Sequence, residues 1–164
     1  MDQYTDLDRT DFAILRLLQK DARLTNKEVA AAIDLAPSST HERVKRLWDI
    51  GAIRGIHAEI DERALGVGIE ALLMIELSKH ERAVVDSFMQ EVGRIAEVRW
   101  AFLLSGRWDV IVHVVARDTA HLKDLVLDKF TNRAGVTRIE TAIVYDARRR
   151  HEVPMIRSDL ESQQ

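Results

Sequence analysis

The chain has 164 residues, of which 46% are hydrophobic, enough for one ordinary domain or two small ones with packed cores. Its formal net charge is −3, so any binding of nucleic acid must depend on a local basic patch. The absence of cysteine excludes disulfides, thiolate zinc sites and thiol catalysis. No segment is apolar enough for a signal peptide or a membrane span, so we expect a cytoplasmic protein without a membrane partner.

The N-terminal segment has the capping signals of two helices. Asp8 can cap a helix that runs to about Lys20, and Thr25 with Glu28 three residues later is a capping box for a short second helix. A turn follows at Asp34, a residue type that tolerates a left-handed backbone conformation. These signals predict a pair of helices joined by a tight turn.

A third helix is predicted between Pro37, which suits a first helical turn, and Gly51, which is well placed to end it. The sequence leaves two possible first residues for this helix. Ser39 with Glu42 can form a second capping box, whereas a start at Pro37 leaves Ala36 in the cap position.

The segment after this helix, Ile53 to Ile60, is β-like and indicates a wing or a first connecting strand. Residues 1–60 are therefore predicted to form a winged helix-turn-helix domain. Residues 61–68 contain two glycines and little apolar periodicity, and we expect them to form a hinge.

Residues 69–147 alternate between strand and helix patterns. Strands are predicted at 70–77, 98–104, 109–116 and 136–145, with helices at 81–92 and 119–131. The order βαββαβ is the ferredoxin-like plan, an antiparallel sheet with both helices on one face, so the chain as a whole is assigned to the α+β class. The other face would expose apolar side chains, which favours self-association. Residues 148–164 are predicted to form an irregular tail.

The third helix carries the first candidate site. Thr40, Val44 and Leu47 share a face that should pack against the first two helices. Hydroxyls and cations on the remaining surface are the groups that contact phosphates and guanine edges. An amphipathic helix with solvated cations is the alternative, but the position of this helix in a three-helix head favours DNA. The candidate DNA-binding residues are Ser38, Ser39, His41, Glu42, Arg43, Lys45 and Arg46.

The second candidate site is the segment from Ser105 to Asp109, which lies between two predicted strands. Gly106 permits close approach of a ligand, and Asp109 can accept hydrogen bonds from an ammonium group. A hairpin turn explains the same residues, and spacing alone favours the hairpin.

Enzymatic and metal-binding motifs are absent from the sequence. The six histidines do not have the spacing of metal ligands, and no nucleophile elbow or Gly-rich phosphate loop is present. We therefore expect no metal site, no cofactor and no enzymatic activity.

Four motifs and a closing run occur in order along the chain: Leu7-Asp8 through Ile14-Leu15 and Leu18, Ala22-Arg23-Leu24-Thr25, Arg43-Val44-Lys45-Arg46-Leu47 followed by Gly51 and Ile53, Gly106-x-x-Asp109, and the run Val136-Thr137-Arg138, Ile143-Val144 and Pro154. With these motifs the chain resembles, along nearly its whole length, the Lrp/AsnC family, the leucine-responsive or feast/famine transcriptional regulators of bacteria and archaea. The family commonly has Gly and Ser where this chain has Asp34 and Ala36, and usually Tyr where it has Trp108.

The resemblance implies a winged helix-turn-helix head, a ferredoxin-like effector domain, and dimers that usually assemble into octamers. It also implies that a small effector, commonly an amino acid, binds between effector domains near the Gly-x-x-Asp loop. Gly106 and Asp109 would then bound the pocket, with Asp109 as a partner for the ammonium group of the effector. Ser105, Trp108 and Thr141 are further candidates nearby.

The predicted function is therefore sequence-specific transcriptional regulation, through double-stranded DNA, in response to a small effector, and the resemblance implies that this effector is an amino acid. One alternative is an architectural protein that wraps DNA without an effector. The other is a small metabolic enzyme on the ferredoxin-like domain, for which the sequence offers no catalytic group.

Overall fold

A computed structural model of the chain describes residues 6–78, 82–133 and 135–156. The chain divides into two units. The first, which we call the head, contains residues 6–58 and 148–156, and the second, the sheet domain, contains residues 59–147. None of the helices within the described ranges is long and apolar enough to cross a lipid bilayer.

The first helix of the head, α1, spans Arg9–Lys20 and begins with a reciprocal capping box. The Asp11 N–H donates to Asp8 Oδ1 at 2.9 Å, and the Asp8 N–H donates to Asp11 Oδ2 at 3.1 Å. The predicted cap at Asp8 is thus confirmed. The box also involves Asp11, a residue whose side chain is completely buried.

The second helix, α2, spans Asn26–Ala32 and begins with the predicted box at Thr25. The Thr25 N–H donates to Glu28 Oε2 at 2.8 Å, and this bond together with one from the Thr25 hydroxyl holds the pKa of Glu28 below its ordinary value. In the turn that follows, Asp34 adopts a φ of 52°, as predicted. The Leu35 N–H closes the turn by donating to the Ala30 carbonyl at 3.0 Å.

The third helix, α3, spans Pro37–Asp49. Ala36 occupies the cap position without a side-chain cap, and Pro37 is the first helical residue, so Ser39 lies inside the helix and does not cap it. Gly51 follows the end of the helix with a φ of 73°, a conformation that favours glycine and lets the chain reverse.

The core of the head lies between the three helices. Ile14, Val29 and Leu47 are completely buried, and Val44 packs against them. Thr40 is also buried, and its hydroxyl donates to the Ala36 carbonyl at 3.2 Å, so no polar group is left unsatisfied there. The predicted packing face of α3 is therefore confirmed.

The segment from Ile53 to Ile60 forms no strand, so the prediction of a β-strand there is wrong. A strand needs a partner for its backbone hydrogen bonds, and within the described ranges the head contains helices only. Ile56 and Ile60 are exposed, and the segment after α3 is a loop. Within residues 61–68, a short 3₁₀ helix spans Glu62–Leu65.

The sheet domain has the predicted βαββαβ order. Its strands are β1 (Ile69–Leu77), β2 (Val98–Leu103), β3 (Val110–Ala116) and β4 (Val136–Val144), and its helices are α4 (Arg82–Val92) and α5 (Thr119–Val126). Glu81, the predicted first residue of α4, lies outside the described residues. A wider helical turn, Leu127–Thr131, continues α5. All neighbouring strands are antiparallel, in the order β2-β3-β1-β4.

The two faces of the sheet differ in burial. Alternate residues of β1 and β3, such as Leu73 and Val112, are completely buried and pack with Phe88 of α4 and Phe130. The opposite face, which we call the open face, carries Leu72, Met74, Trp100, Phe102 and Ile111. Trp100 and Phe102 are 57% and 51% exposed and stack at a centroid distance of 6.5 Å. The predicted uncovered apolar face is therefore present.

Candidate functional site

The outer surface of α3 carries the predicted DNA-binding residues. Six of them are exposed: Ser38, Ser39, His41, Glu42, Lys45 and Arg46. The side chains of Arg43 and Arg46 are 31% and 43% exposed, because both turn toward α1. We call this surface, from Ser38 to Arg46, the α3 edge.

Asp11 joins α1 to the α3 edge. Its carboxylate is completely buried and accepts a hydrogen bond from Arg43 Nη1 at 2.9 Å and another from Arg46 Nη2. Arg43 Nη1 also lies 2.8 Å from Asp8 Oδ2. A buried carboxylate is costly unless it is paired and hydrogen-bonded, so these two arginines compensate for the burial of Asp11 and fix α3 against α1.

The ion pairs change the pKa values of Arg43 and Asp8. Hydrogen bonds to Asp11 and then to Asp8 raise the pKa of Arg43 above its ordinary value. Partial burial raises the pKa of Asp8, but the hydrogen bonds from the Asp11 N–H and from Arg43 outweigh it, so the pKa of Asp8 is lowered. Both groups are therefore charged at neutral pH.

The α3 edge is consequently close to neutral. Its cations are Arg43, Lys45 and Arg46, and the carboxylates beside them are those of Asp6, Asp8, Asp11 and Glu42, so the edge has no net positive charge. Lys45 is exposed and forms no ion pair with any residue that the structure describes, so its ammonium group can contact a phosphate.

Sequence reasoning missed the electrostatic role of Asp8 and Asp11. The available signal was the position of Asp11 at a helical interval with Ile14 and Leu18, because an acidic residue on an apolar stripe needs a cationic partner. Sequence reasoning also missed Asn26, whose Nδ2 donates to His41 Nδ1 at 2.9 Å and links α2 to α3.

The second candidate site, the loop from Ser105 to Asp109, connects β2 to β3. Gly106 has a φ of 153°, and the space beside its backbone is open. The Leu104 N–H donates to the Asp109 carbonyl at 2.8 Å, as in a hairpin. Asp109 is also tied to β1, since its N–H donates to the Ile75 carbonyl at 3.0 Å and its Oδ2 accepts from the Leu77 N–H at 2.7 Å.

Trp108 is the residue of this loop that lies beside β4. The guanidinium carbon of Arg107 is 5.3 Å from the centroid of the Trp108 ring, and that of Arg138, on β4, is 5.1 Å away. Both distances are within the range of cation–π attraction. Arg138 was not among the predicted site residues, because its proximity depends on the register of β4 against β1.

Thr141 is not brought next to the loop within one chain. Thr141 is on β4 and pairs with Leu73 of β1, two residues before Ile75. The strand β3, which follows the loop, pairs with the other side of β1. Arg138, the β4 residue beside Trp108, lies three positions from Thr141, about 10 Å along the strand, and on the opposite face of the sheet. Ser105, by contrast, is an exposed neighbour of Gly106.

Two family models match the chain. "Winged helix-turn-helix DNA-binding" matches residues 7–54, and "Lrp/AsnC ligand binding domain" matches residues 70–154. Together with the α1–α3 head and the βαββαβ sheet domain, these matches define a helix-turn-helix transcriptional regulator with a ligand-binding domain. The chain belongs to the Lrp/AsnC family, as its sequence resemblance predicts.

Individual relatives support the same assignment. The HTH-type transcriptional regulator AldR of Mycobacterium tuberculosis is 37% identical over 86% of this chain and 79% of its own length. The Leucine-responsive regulatory protein of Rhizobium meliloti is 32% identical over 84% of this chain and 88% of its own length. The crystal structure of the Neisseria meningitidis transcriptional regulator NMB0573 in complex with L-Met has a TM-score of 0.80 and 28% identity, over 88% of this chain and 93% of that chain. These relatives are transcriptional regulators and not enzymes, which excludes the metabolic-enzyme alternative.

The buried ion pairs generate a stability prediction. Replacing Asp11 with Asn removes the charge that both arginines contact, and we expect the free energy of local unfolding of α3 to fall by about 2 kcal/mol. Backbone amides of α3 should then exchange hydrogen about 30-fold faster in the intact chain, as measured by mass spectrometry.

Asp49→Asn is the matched control, because Asp49 is an exposed acid on the same helix. Its effect should be within about 0.5 kcal/mol. Equal exchange rates in both variants and the unaltered chain would show that Asp11 does not hold α3.

Proposed function

We propose that the protein is a sequence-specific regulator that places α3 in the major groove of double-stranded DNA. The observation that carries this proposal is the α3 edge itself. Its buried face packs on α1 and α2, while Ser38, Ser39 and Lys45 point away from the core of the head. Hydroxyl and ammonium groups in this arrangement suit phosphate oxygens and base edges.

The near-neutral edge favours selective rather than indiscriminate binding. Arg43 and Arg46 are already paired with carboxylates, so they add less non-specific attraction to phosphate than free cations would. Each guanidinium has five N–H donors in a rigid fork, and donors not used by Asp8 or Asp11 remain for guanine or phosphate. Glu42 repels phosphate but is able to accept from a cytosine amino group.

We further propose that the effector is an amino acid that binds at the β2–β3 loop. A relative named as leucine-responsive and a similar regulator crystallised with L-Met support this chemical class. Gly106 and Asp109 would bound the pocket, with Ser105, Trp108 and Thr141 as further contacts. Because Thr141 lies across β1 from the loop, it would join the site only from another copy of the chain. A DNA-wrapping protein would need no ligand, and the match to a ligand-binding domain favours the regulator.

Assembly into homodimers, and from these into higher oligomers such as octamers, is the third part of the proposal. The open face exposes Trp100 and Phe102 in the isolated chain, and an apolar patch of this kind usually contacts a partner. A second copy offers the same face, so a twofold axis would bury both.

The DNA contact is tested by replacing Lys45 with Ala. A duplex selected from a random library serves as the probe, and fluorescence anisotropy gives its affinity across a range of salt concentrations. Loss of one phosphate contact should weaken binding about fivefold near physiological salt and reduce the salt slope by about one for each head that contacts DNA.

Lys20→Ala is the matched control, because Lys20 is an exposed lysine at the end of α1 remote from Asp8. It should leave the affinity and the slope unchanged. If Lys45→Ala behaves like this control, the α3 edge does not contact DNA. Lys45 is a cleaner test than Arg43 or Arg46, whose removal would also unpair Asp11.

The dimer contact is tested by replacing Trp100 with Glu. A charge within an apolar interface is costly to bury, so the variant should sediment as a monomer where the unaltered chain forms dimers or larger species. Leu65→Glu is the control, because Leu65 is 74% exposed in the 3₁₀ helix and not on the open face. A Trp100→Glu variant that keeps the oligomeric state of the unaltered chain would place the interface elsewhere.

A further inference from the structure

Three side chains at the β2–β3 loop form what we call the cationic cluster: Arg107, Trp108 and Arg138. The guanidinium groups of the two arginines lie 5.3 Å and 5.1 Å from the centroid of the same indole ring. Two like charges are thus held against one side chain, although they repel each other. Such an arrangement is most favourable when an anion joins it.

The donors of this cluster are largely unused. Arg107 is exposed and makes no hydrogen bond or ion pair with any described residue, while Arg138 Nη2 lies 3.6 Å from Glu140 Oε2. Contact with an aromatic face does not use the N–H groups of a guanidinium, which lie in its plane and match a carboxylate in a bidentate geometry. Both arginines therefore keep donors for a carboxylate ligand.

Asp109, the predicted partner of an effector ammonium, already has a structural task. Its Oδ2 accepts from the Leu77 N–H at 2.7 Å, and its backbone N–H donates to Ile75. These bonds fix the loop against the end of β1 and hold Trp108, the preceding residue, beside β4. The acidic group of the loop thus positions the cationic cluster, and an ammonium group would have to share it.

We propose that the cationic cluster binds the carboxylate of the effector and that this carboxylate, not the ammonium group, is its main anchor. The ligand class is then 2-amino and 2-oxo carboxylates. This inference rests on the proposed function, because it assumes that the effector binds at the β2–β3 loop. Beside the cluster, no atom outside its chain neighbours lies within 4 Å of the position that a Cβ on Gly106 would occupy, so a ligand can approach the loop backbone there.

The experiment begins with a thermal-shift screen of the common L-amino acids against the full chain, since a ligand that binds only the native state raises its apparent stability. For the amino acid with the largest shift, calorimetry then compares the acid, its carboxamide and the corresponding 2-oxo acid. We expect the 2-oxo acid to bind within about tenfold of the amino acid, and the carboxamide to bind at least about tenfold more weakly.

Arg107→Gln and Arg138→Gln should each weaken binding of the amino acid by about tenfold. The matched control is Arg94→Gln. Arg94 is exposed and precedes the start of β2, so it lies at the opposite end of that strand from the loop, and its replacement should leave the affinity unchanged.

The outcomes separate the two proposals. If no amino acid stabilises the chain, the proposed effector function is overturned, and this inference with it. If an amino acid binds but its carboxamide binds equally well, its 2-oxo acid does not bind, or both arginine variants bind like the unaltered chain, the cationic cluster is not the anchor while the proposed function stands.

Discussion

The buried carboxylate of Asp11 is the constraint on which the organisation of the head depends. It lies on α1, but the cations that compensate for its burial, Arg43 and Arg46, come from α3. A buried charge without partners would be costly, so the pairing sets both the position and the rotation of α3. With those fixed, Thr40 and Leu47 face the core, and Lys45 faces outward. The same arginines that would attract DNA non-specifically are thereby neutralised.

In the sheet domain, as in the head, an aspartate fixes one segment of the chain against another, here at the proposed effector site. There Asp109 accepts a hydrogen bond from a backbone N–H of β1, and the loop that it fixes carries Trp108 with its two guanidinium neighbours.

The chain passes from the head to the sheet domain after Ala58 and returns to the head after Ala147. The returning tail lies on α1, where the Val153 N–H donates to Gln19 Oε1 at 2.7 Å. Any effect of a ligand on DNA binding is limited by the difference in its affinity for the two states of the protein.

Local signals predicted most of the fold. The cap at Asp8, the capping box at Thr25, the left-handed turn at Asp34 and the βαββαβ order of elements depend on neighbours in sequence, so the chain alone revealed them. The prediction of a strand at Ile53 to Ile60 was wrong, because a strand needs a neighbouring strand for its hydrogen bonds and local composition does not reveal whether one is present. Long-range pairs were missed for the same reason. The hydrogen bond between Arg43 and Asp11 joins residues that are 32 positions apart in the sequence. Arg138 lies beside the Trp108 ring because of the register of β4 against β1, which local sequence does not reveal.

The most direct test is a crystal structure of the full chain bound to a duplex selected from a random library. We expect α3 to lie in the major groove with Lys45 Nζ and Ser39 Oγ within hydrogen-bond distance of the duplex, while Asp11 remains paired with Arg43 and Arg46. A complex in which α3 lies outside the groove, or in which DNA draws both arginines away from Asp11, would contradict this expectation.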